Sequence, residues 1–263
     1  MSGLFDSLNN YYDKILVLTL PRLTDRMAYF KKTFEGLNYE FFYGIDKEHT
    51  SMEILKNEGL YSTEAYRKYY KKPQEISLGM LCCSLGHFKI YDYIIKNNFA
   101  RTLIFEDDAI PVVEELKKFS AIVRELPADW EMLYLGYEKH DQFGWKEKLN
   151  RLILTLIPHH TQLKLNRDIF KNYYASPVSA QIAKAGFHDC THAYSVTLEG
   201  AKKLMAMQNP VTFHPDNLIS FLVCSGKLNG YISNPKLFNQ LTAFNNQQSS
   251  LTSPDSISTV IFD

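Results

Sequence analysis

Arg101-Thr102-Leu103-Ile104-Phe105-Glu106-Asp107-Asp108-Ala109-Ile110-Pro111 is an apolar run that ends on three consecutive carboxylates. Leu103, Ile104 and Phe105 read as a short buried strand, with Glu106, Asp107 and Asp108 at its carboxyl end. Each ionised carboxylate raises the cost of ionising the next, and the apolar strand lowers the local dielectric. A positive partner is therefore expected among them. A divalent cation with oxygen ligands, Mg²⁺ or Mn²⁺, suits the triplet better than Zn²⁺, because neither Cys nor His adjoins it. The alternative is a solvated turn whose acids favour the start of the next helix. The local pattern alone weighs the two equally.

Around this stretch the chain reads as globular. Its 263 residues are 45% hydrophobic and 14% aromatic, enough for one large core or two small ones. Lys plus Arg and Asp plus Glu number 29 each, so no global field argues for nucleic acid. Cys82, Cys83, Cys190 and Cys224 show no CxxC spacing, which fits a reducing compartment. The start lacks a signal-peptide pattern, and no stretch approaches the roughly 20 apolar residues of a spanning helix. The expectation is a cytoplasmic chain, with peripheral contact on the inner face of the membrane as its only membrane association.

Taken in order, Lys14 to Leu20 is a near-continuous apolar run, the mark of a strand covered on both faces. Pro21 stops it, and Leu23, Met27, Phe30 and Phe34 follow at helical spacing. Arg22 and Arg26 are four apart and share a face near that helix start, placed for a phosphate or as ordinary surface arginines. Tyr39 to Tyr43 reads as a second strand, with Gly44 as a turn and Asp46 beyond it, a ribose partner or a turn residue. Thr50 to Lys72 reads as a covering loop with short helices. Ile76 to about Asn97 is a long helix carrying His87, a residue more often a satisfied core histidine than a ligand there. The acidic strand comes next, then an amphipathic helix over Val112 to Leu126 and a strand at Trp130 to Gly136. This alternation over residues 14 to 136 is the pattern of a layered α/β domain.

Residues 140 to 190 break the rhythm. Between Trp145 and Ala175, six cations oppose two acids, a local excess of +4, interleaved with apolar residues. Such a segment could touch an anionic membrane over about 145–175, meet a partner, or cover the site as a flap. His159-His160 lacks a third zinc ligand at suitable spacing. A strand at His192 to Thr197, a helix at Leu198 to Met205, His214-Pro215-Asp216 opening a helix, and a strand at Leu228 to Ser233 complete the pattern. One domain spanning 1–245 with an insertion at about 140–190 is expected, followed by a polar tail at 246–263. The sequence sets no oligomeric state.

Several separated stretches together resemble glycosyltransferase family 25, the lipooligosaccharide-type enzymes related to the collagen galactosyltransferases. They are ILVLTLPRLTDR (15–26), Gly44-Ile45-Asp46, SLGMLCCSLGH (77–87), LIFEDDA (103–109), Tyr134-Leu135-Gly136, Thr191 to Tyr194 with Gly200 to Leu204, and His214-Pro215-Asp216. They occur in the family's order over about residues 14 to 240. Thr19 stands where the pattern usually has Asn, Met80 where it usually has an acid, and residues 140 to 190 match nothing in it.

The resemblance implies a GT-A-like nucleotide-diphospho-sugar transferase fold, α/β with a mostly parallel central sheet flanked by helices. It implies a metal-dependent inverting transfer of a sugar, galactose by family habit, from a UDP-sugar to a saccharide acceptor in surface-glycan or lipooligosaccharide synthesis. Mn²⁺ or Mg²⁺ would be held by Asp108, with Glu106 second, and would bridge the donor diphosphate. Pro21, Arg22, Arg26, Asp46, His87, Glu106 and Asp107 become the donor-side residues. Arg22 and Arg26 stay open between the diphosphate and a structural pair with Asp25. An inverting reaction needs a base for the acceptor hydroxyl, and Asp216 is the first candidate, His192 the second. Either could instead be structural, Asp216 as a helix cap and His192 as a buried strand residue. Two other classes compete: a glycan-binding regulatory form of the same fold, and a carboxylate phosphatase. The second would need a DxDx[TV] arrangement that Glu106 to Ile110 lacks.

Overall fold

The computed structural model describes residues 3–71, 75–140, 144–156, 163–165 and 167–241. His159-His160 and the 246–263 tail lie outside them. The described residues hold ten strands: β1 (Lys14–Thr19), β2 (Glu40–Tyr43), β3 (Arg101–Glu106), β4 (Ala109–Pro111), β5 (Met132–Glu138), β6 (Ser176–Pro177), β7 (Ile182–Lys184), β8 (Asp189–Thr197), β9 (Gly230–Ser233) and β10 (Phe238–Gln240). Eight form one sheet in the order β2-β1-β3-β8-β5-β9-β7-β6. β1 is parallel to β2 and β3, and β5 to β9, while β8 and β7 run against their neighbours. Six strands thus share one direction in a mixed sheet of the GT-A-like kind.

The apolar runs follow from burial on both faces. Ile15 and Val17 enter one core layer while Leu16 enters the other; Leu103 and Phe105 alternate with Ile104 in the same way, and Leu133 and Leu135 with Met132 and Tyr134. The period of two is hidden because both faces are covered. On one side lie the helices Leu78–Asn97, Leu198–Met207 and Pro215–Cys224; on the other lie Thr24–Thr33 and Phe119–Glu125 with an aromatic cluster of Phe30, Phe34, Phe105 and Phe238.

Local chemistry sets the helix ends. Ser77 accepts from the Met80 amide at 3.3 Å to start Leu78–Asn97, and Asn98 ends it in the left-handed region at φ 54°. The amphipathic stretch after the acidic strand is two short helices, Val113–Leu116 and Phe119–Glu125, rather than one. The covering segment holds Met52–Asn57 and Thr63–Tyr69, capped by Ser51 and Ser62. The 140–190 segment contains the helices Trp145–Leu156 and Arg167–Lys171 and contributes β6, β7 and the start of β8 to the sheet. Strands of two or three residues carry no readable period, so nothing in the sequence marked β4, β6, β7 or β10.

Candidate active site

The carboxyl ends of β1, β2 and β3 open on one cleft, where ligands of open α/β sheets bind. It encloses about 480 Å³, open mouth included, and is lined by Leu18, Leu20, Ile45, Cys83, Gly86 and Arg26 together with Glu106, Asp107 and Asp108. Gly86 lets the long helix seat against β1: a Cβ there would meet Leu18 Cδ1 at 3.0 Å.

The three carboxylates have different surroundings. Glu106 closes β3. Burial works to raise its pKa, but the imidazole of His87 and the Thr191 hydroxyl outweigh it and hold the carboxyl below its usual range. Thr191 Oγ1 donates to Glu106 Oε1 at 2.6 Å, and His87 Nε2 lies 3.5 Å from the same oxygen. Asp107 is buried and accepts from Thr19 Oγ1 at 2.6 Å and from Arg26 Nη1 at 2.8 Å, yet burial leaves its pKa raised. Asp108 is buried at the turn into β4. Gln240 Nε2 donates to its Oδ2 at 3.0 Å, while burial and the charges of Glu106 and Asp107 push the carboxyl up to about 7.

The two arginines of the first helix region are engaged with acids distant in sequence, not with Asp25. Arg22 Nε lies 2.6 Å from Asp46 Oδ2 and 3.6 Å from Glu48 Oε1. Burial acts to raise Asp46, and the Arg22 guanidinium and the Glu48 amide overcome it, leaving the carboxyl below its usual range. Asp46 also caps the turn Lys47–His49 through that amide. Pro21 is exposed between β1 and the helix Thr24–Thr33.

His87 is a buried member of a hydrogen-bonded chain. Its Nδ1 lies 2.7 Å from the Tyr194 hydroxyl, which lies 3.0 Å from the Tyr91 hydroxyl. The tautomer that suits both neighbours has Nδ1 accepting from Tyr194 and Nε2–H facing Glu106. Tyr91 then donates to Tyr194, so the whole chain points its donors at Glu106.

The two candidate bases differ in position. Asp216 lies half-buried in the first turn of Pro215–Cys224, after Pro215. It accepts from the amides of Asn217 at 2.7 Å and Cys190 at 3.4 Å. Burial first, then the charges of Asp189 and Glu106, raise it to about 6. His192 is fully buried, its Nε2 3.4 Å from the Phe238 carbonyl, and burial lowers its pKa to about 4. Gly136 permits this seating, since a Cβ there would stand 2.4 Å from His192 Nε2. His192 Nδ1 has no hydrogen-bond partner among the described residues.

The structure thus gathers Glu106, Asp107, Asp108 and Arg26 at the cleft and sets Arg22–Asp46 beside it as an ion pair. Asp216 faces Cys190, whose thiol feels Asp216 and Glu106 together. Thr191, Tyr194 and Gln240 also belong to the site; the resemblance marked the stretch Thr191 to Tyr194 without giving either residue a role, and nothing marked Gln240. Thr19, a departure from the resembled pattern, supplies a hydroxyl to Asp107.

The sequence model of glycosyltransferase family 25 (LPS biosynthesis protein) matches residues 12–219. Procollagen galactosyltransferase 2 of Mus musculus is 23% identical over 199 residues, covering 74% of this chain and 27% of the relative. A glycosyltransferase 25 family member of Anopheles gambiae is 23% identical over 209 residues, with 74% and 28% covered. The inactive glycosyltransferase 25 family member 3 of Mus musculus is 21% identical over 202 residues, with 75% and 29% covered. The aligned part of this chain therefore spans under a third of the length of these relatives. The family match covers most of the sequence and includes the strand end with its three carboxylates, the capped long helix and Asp216, and the chain belongs to glycosyltransferase family 25.

Proposed function

We propose that the chain is a metal-dependent, inverting hexosyltransferase that moves a sugar, galactose first, from a UDP-sugar to a saccharide acceptor of a surface glycan or lipooligosaccharide. One observation carries the reading: Glu106, Asp107 and Asp108 converge at the mouth of a cleft with Arg26 as the cation in contact with two of them. Burial, with the charges of Glu106 and Asp107, raises the Asp108 carboxyl to about 7, and a bound cation would favour its ionised form. The apolar lining of Leu18, Leu20 and Ile45 suits the flat face of a base. The name of the Mus musculus relative supports galactose as the first donor sugar to try.

The donor set fits a hard divalent cation. It offers carboxylate oxygens alone, and Mg²⁺-like ions are commonly held by one or two carboxylates plus substrate phosphates. Among the described residues no group of three or more His, Cys, Asp or Glu is disposed to hold an ion unaided, so the diphosphate would complete the site. Asp108 would be the direct ligand and Glu106 the second. When bound, the cation neutralises charge on the departing nucleoside diphosphate. Asp107, committed to Thr19 and Arg26, fixes the turn that presents its neighbours.

Asp216 serves as base. Ionised at neutral pH, it takes the proton of the acceptor hydroxyl while that oxygen bonds to the anomeric carbon from the face opposite the breaking glycosyl–phosphate bond. A pKa near 6 is strong enough for that proton and low enough to leave the carboxylate free at pH 7.

The competing reading is a catalytically weak glycan-binding protein, since a relative named inactive matches about as well as the galactosyltransferase does. Met80 does not favour it. That residue is the third of a helix capped by Ser77, where an acid would complete a reciprocal cap, so its absence bears on helix stability. A panel of nucleotide sugars incubated with Mn²⁺ tests the proposal through slow donor hydrolysis. UDP-galactose should be hydrolysed by the native chain and spared by Asp108→Ala; no hydrolysed donor, or equal hydrolysis by both, refutes it.

A further inference from the structure

The helix Trp145–Leu156 presents apolar residues to solvent along one side. Trp145 is 71% exposed, Leu149 47%, Leu152 56% and Ile153 47%. At 3.6 residues per turn these four fall within an arc of about 100°. The exposed Lys146 adjoins one border of that arc. The helix packs on Arg167–Lys171, which packs in turn on Pro215–Cys224, the helix that carries Asp216. The exposed stripe is therefore tied through two packed helices to the candidate base.

A ladder of large apolar side chains facing water is costly unless something covers it; full burial of one Leu gains about 1.5–3 kcal/mol. The charge pattern names the cover. An exposed apolar arc beside a lysine, in a segment of net positive charge, is the arrangement of a helix lying in the headgroup layer: apolar side chains enter the acyl boundary and ammonium groups reach anionic phosphates. A Trp at one end suits the same interface. The segment around the helix carries a local +4 excess in a chain whose net charge is zero, which gives a further attraction to an anionic surface.

We propose that Trp145–Leu156 is an interfacial helix that seats the protein on an anionic lipid surface. Trp145, Leu149, Leu152 and Ile153 are its inserted face, and Lys146 a headgroup contact. It spans nothing: no helix among the described residues is long and apolar enough to cross a membrane. The attachment does not depend on the transferase reading, because vesicle binding is measured without turnover.

The test uses the full chain with vesicles of phosphatidylglycerol and phosphatidylethanolamine, and with phosphatidylcholine vesicles as the uncharged control. Sedimentation should show binding to the anionic vesicles at low salt, falling at least tenfold between about 50 and 500 mM NaCl as charges are screened. Tryptophan emission should shift to the blue on binding and be quenched by brominated acyl chains. Trp145→Phe, which leaves only Trp130, should abolish both effects. Leu149→Glu with Leu152→Glu, both at exposed positions, should weaken binding at least tenfold with an unchanged circular dichroism spectrum. Failure of the native chain to bind anionic vesicles at low salt overturns the proposal without any mutant. So does a Trp145 signal unaffected by brominated lipid. Conversion of a dimer to a monomer by the double substitution, with vesicle binding unaffected, would assign the stripe to a second copy of the chain and overturn it equally.

Discussion

Arg26 Nη1 stands 2.8 Å from Asp107 Oδ1 and 3.9 Å from Asp108 Oδ2, so one guanidinium spans two of the three carboxylates at the end of β3. Its aliphatic stem comes from the helix after β1, and the parallel pairing of β1 with β3 is what brings that helix start over the acidic turn.

Arg26→Ala should therefore cost more than an ordinary surface arginine. Asp107 would keep only Thr19, and burial would no longer be offset by charge. A loss of about 1.5–3 kcal/mol in urea unfolding at pH 8 is expected, the range for a hydrogen bond to a charged group. Arg26→Lys should recover part of it. A stability within experimental error of the native chain at pH 8 would show that the pair is solvated and inert.

Asp108 gives a pH dependence of unusual sign. Its carboxyl rises from 3.8 in the unfolded chain to about 7 in the fold, so between those values the native state binds more protons. The contribution of Asp108 to stability must then fall as pH rises from about 4 to about 7, in the metal-free protein. Asp108→Asn should remove that slope and raise stability at pH 8 by on the order of 1–3 kcal/mol. Mn²⁺ should raise the melting temperature of the native protein at pH 8 and leave the Asn variant unmoved. Equal Mn²⁺ stabilisation of both would take Asp108 out of the ligand set.

For Asp216, raised to about 6, the deprotonated form would act as base under the proposed mechanism. Transfer should decline as pH drops through about 6, and Asp216→Asn should lower kcat by roughly 10²–10⁴ while donor binding is kept. The Asn side-chain oxygen can still accept from the Asn217 amide in the first turn, so folding should survive the change. Turnover at the native rate would reassign the role, with the buried His192 next to be tried.

Tyr194→Phe removes the hydroxyl between Tyr91 and His87 and leaves His87 Nδ1 without its partner. The expected cost is about 1–3 kcal/mol of stability, the penalty for an unsatisfied buried group. Because His87 orients Glu106, the Mn²⁺ concentration for half-maximal activity should also rise several-fold. A stability loss with unchanged Mn²⁺ dependence would confine the chain of hydroxyls to packing.

How much could be read beforehand varies with the kind of residue. The strands at Lys14, Arg101 and Trp130, and the helix from Leu78, stand within a few residues of where spacing puts them. Each is long enough, and buried enough on both faces, for local pattern to speak. Trp145–Leu156 was legible as basic and apolar but not as a helix, because the surrounding composition obscured its period. Gln240 was silent, and Thr191 was marked only as part of a resembling stretch without a role: single polar residues have no pattern until a carboxylate is placed beside them.

The sequence by itself determined the layered α/β class, the acidic strand end and the ordered pieces that mark the family, since burial period, helix caps and motif order are properties of neighbouring residues. Tertiary structure alone decided the partners. Arg26 meets Asp107 across 81 residues, Tyr194 meets His87 across 107, and Gln240 meets Asp108 across 132. Buried polar groups must pair with whatever the fold sets within reach, and that reach is created by β1, β3 and β8 lying side by side and by β10 folding back onto β4. The same closure turns three adjacent acids into three different groups, with Glu106 held low, Asp107 tied to Arg26 and Asp108 raised by burial and by the charges of its two neighbours.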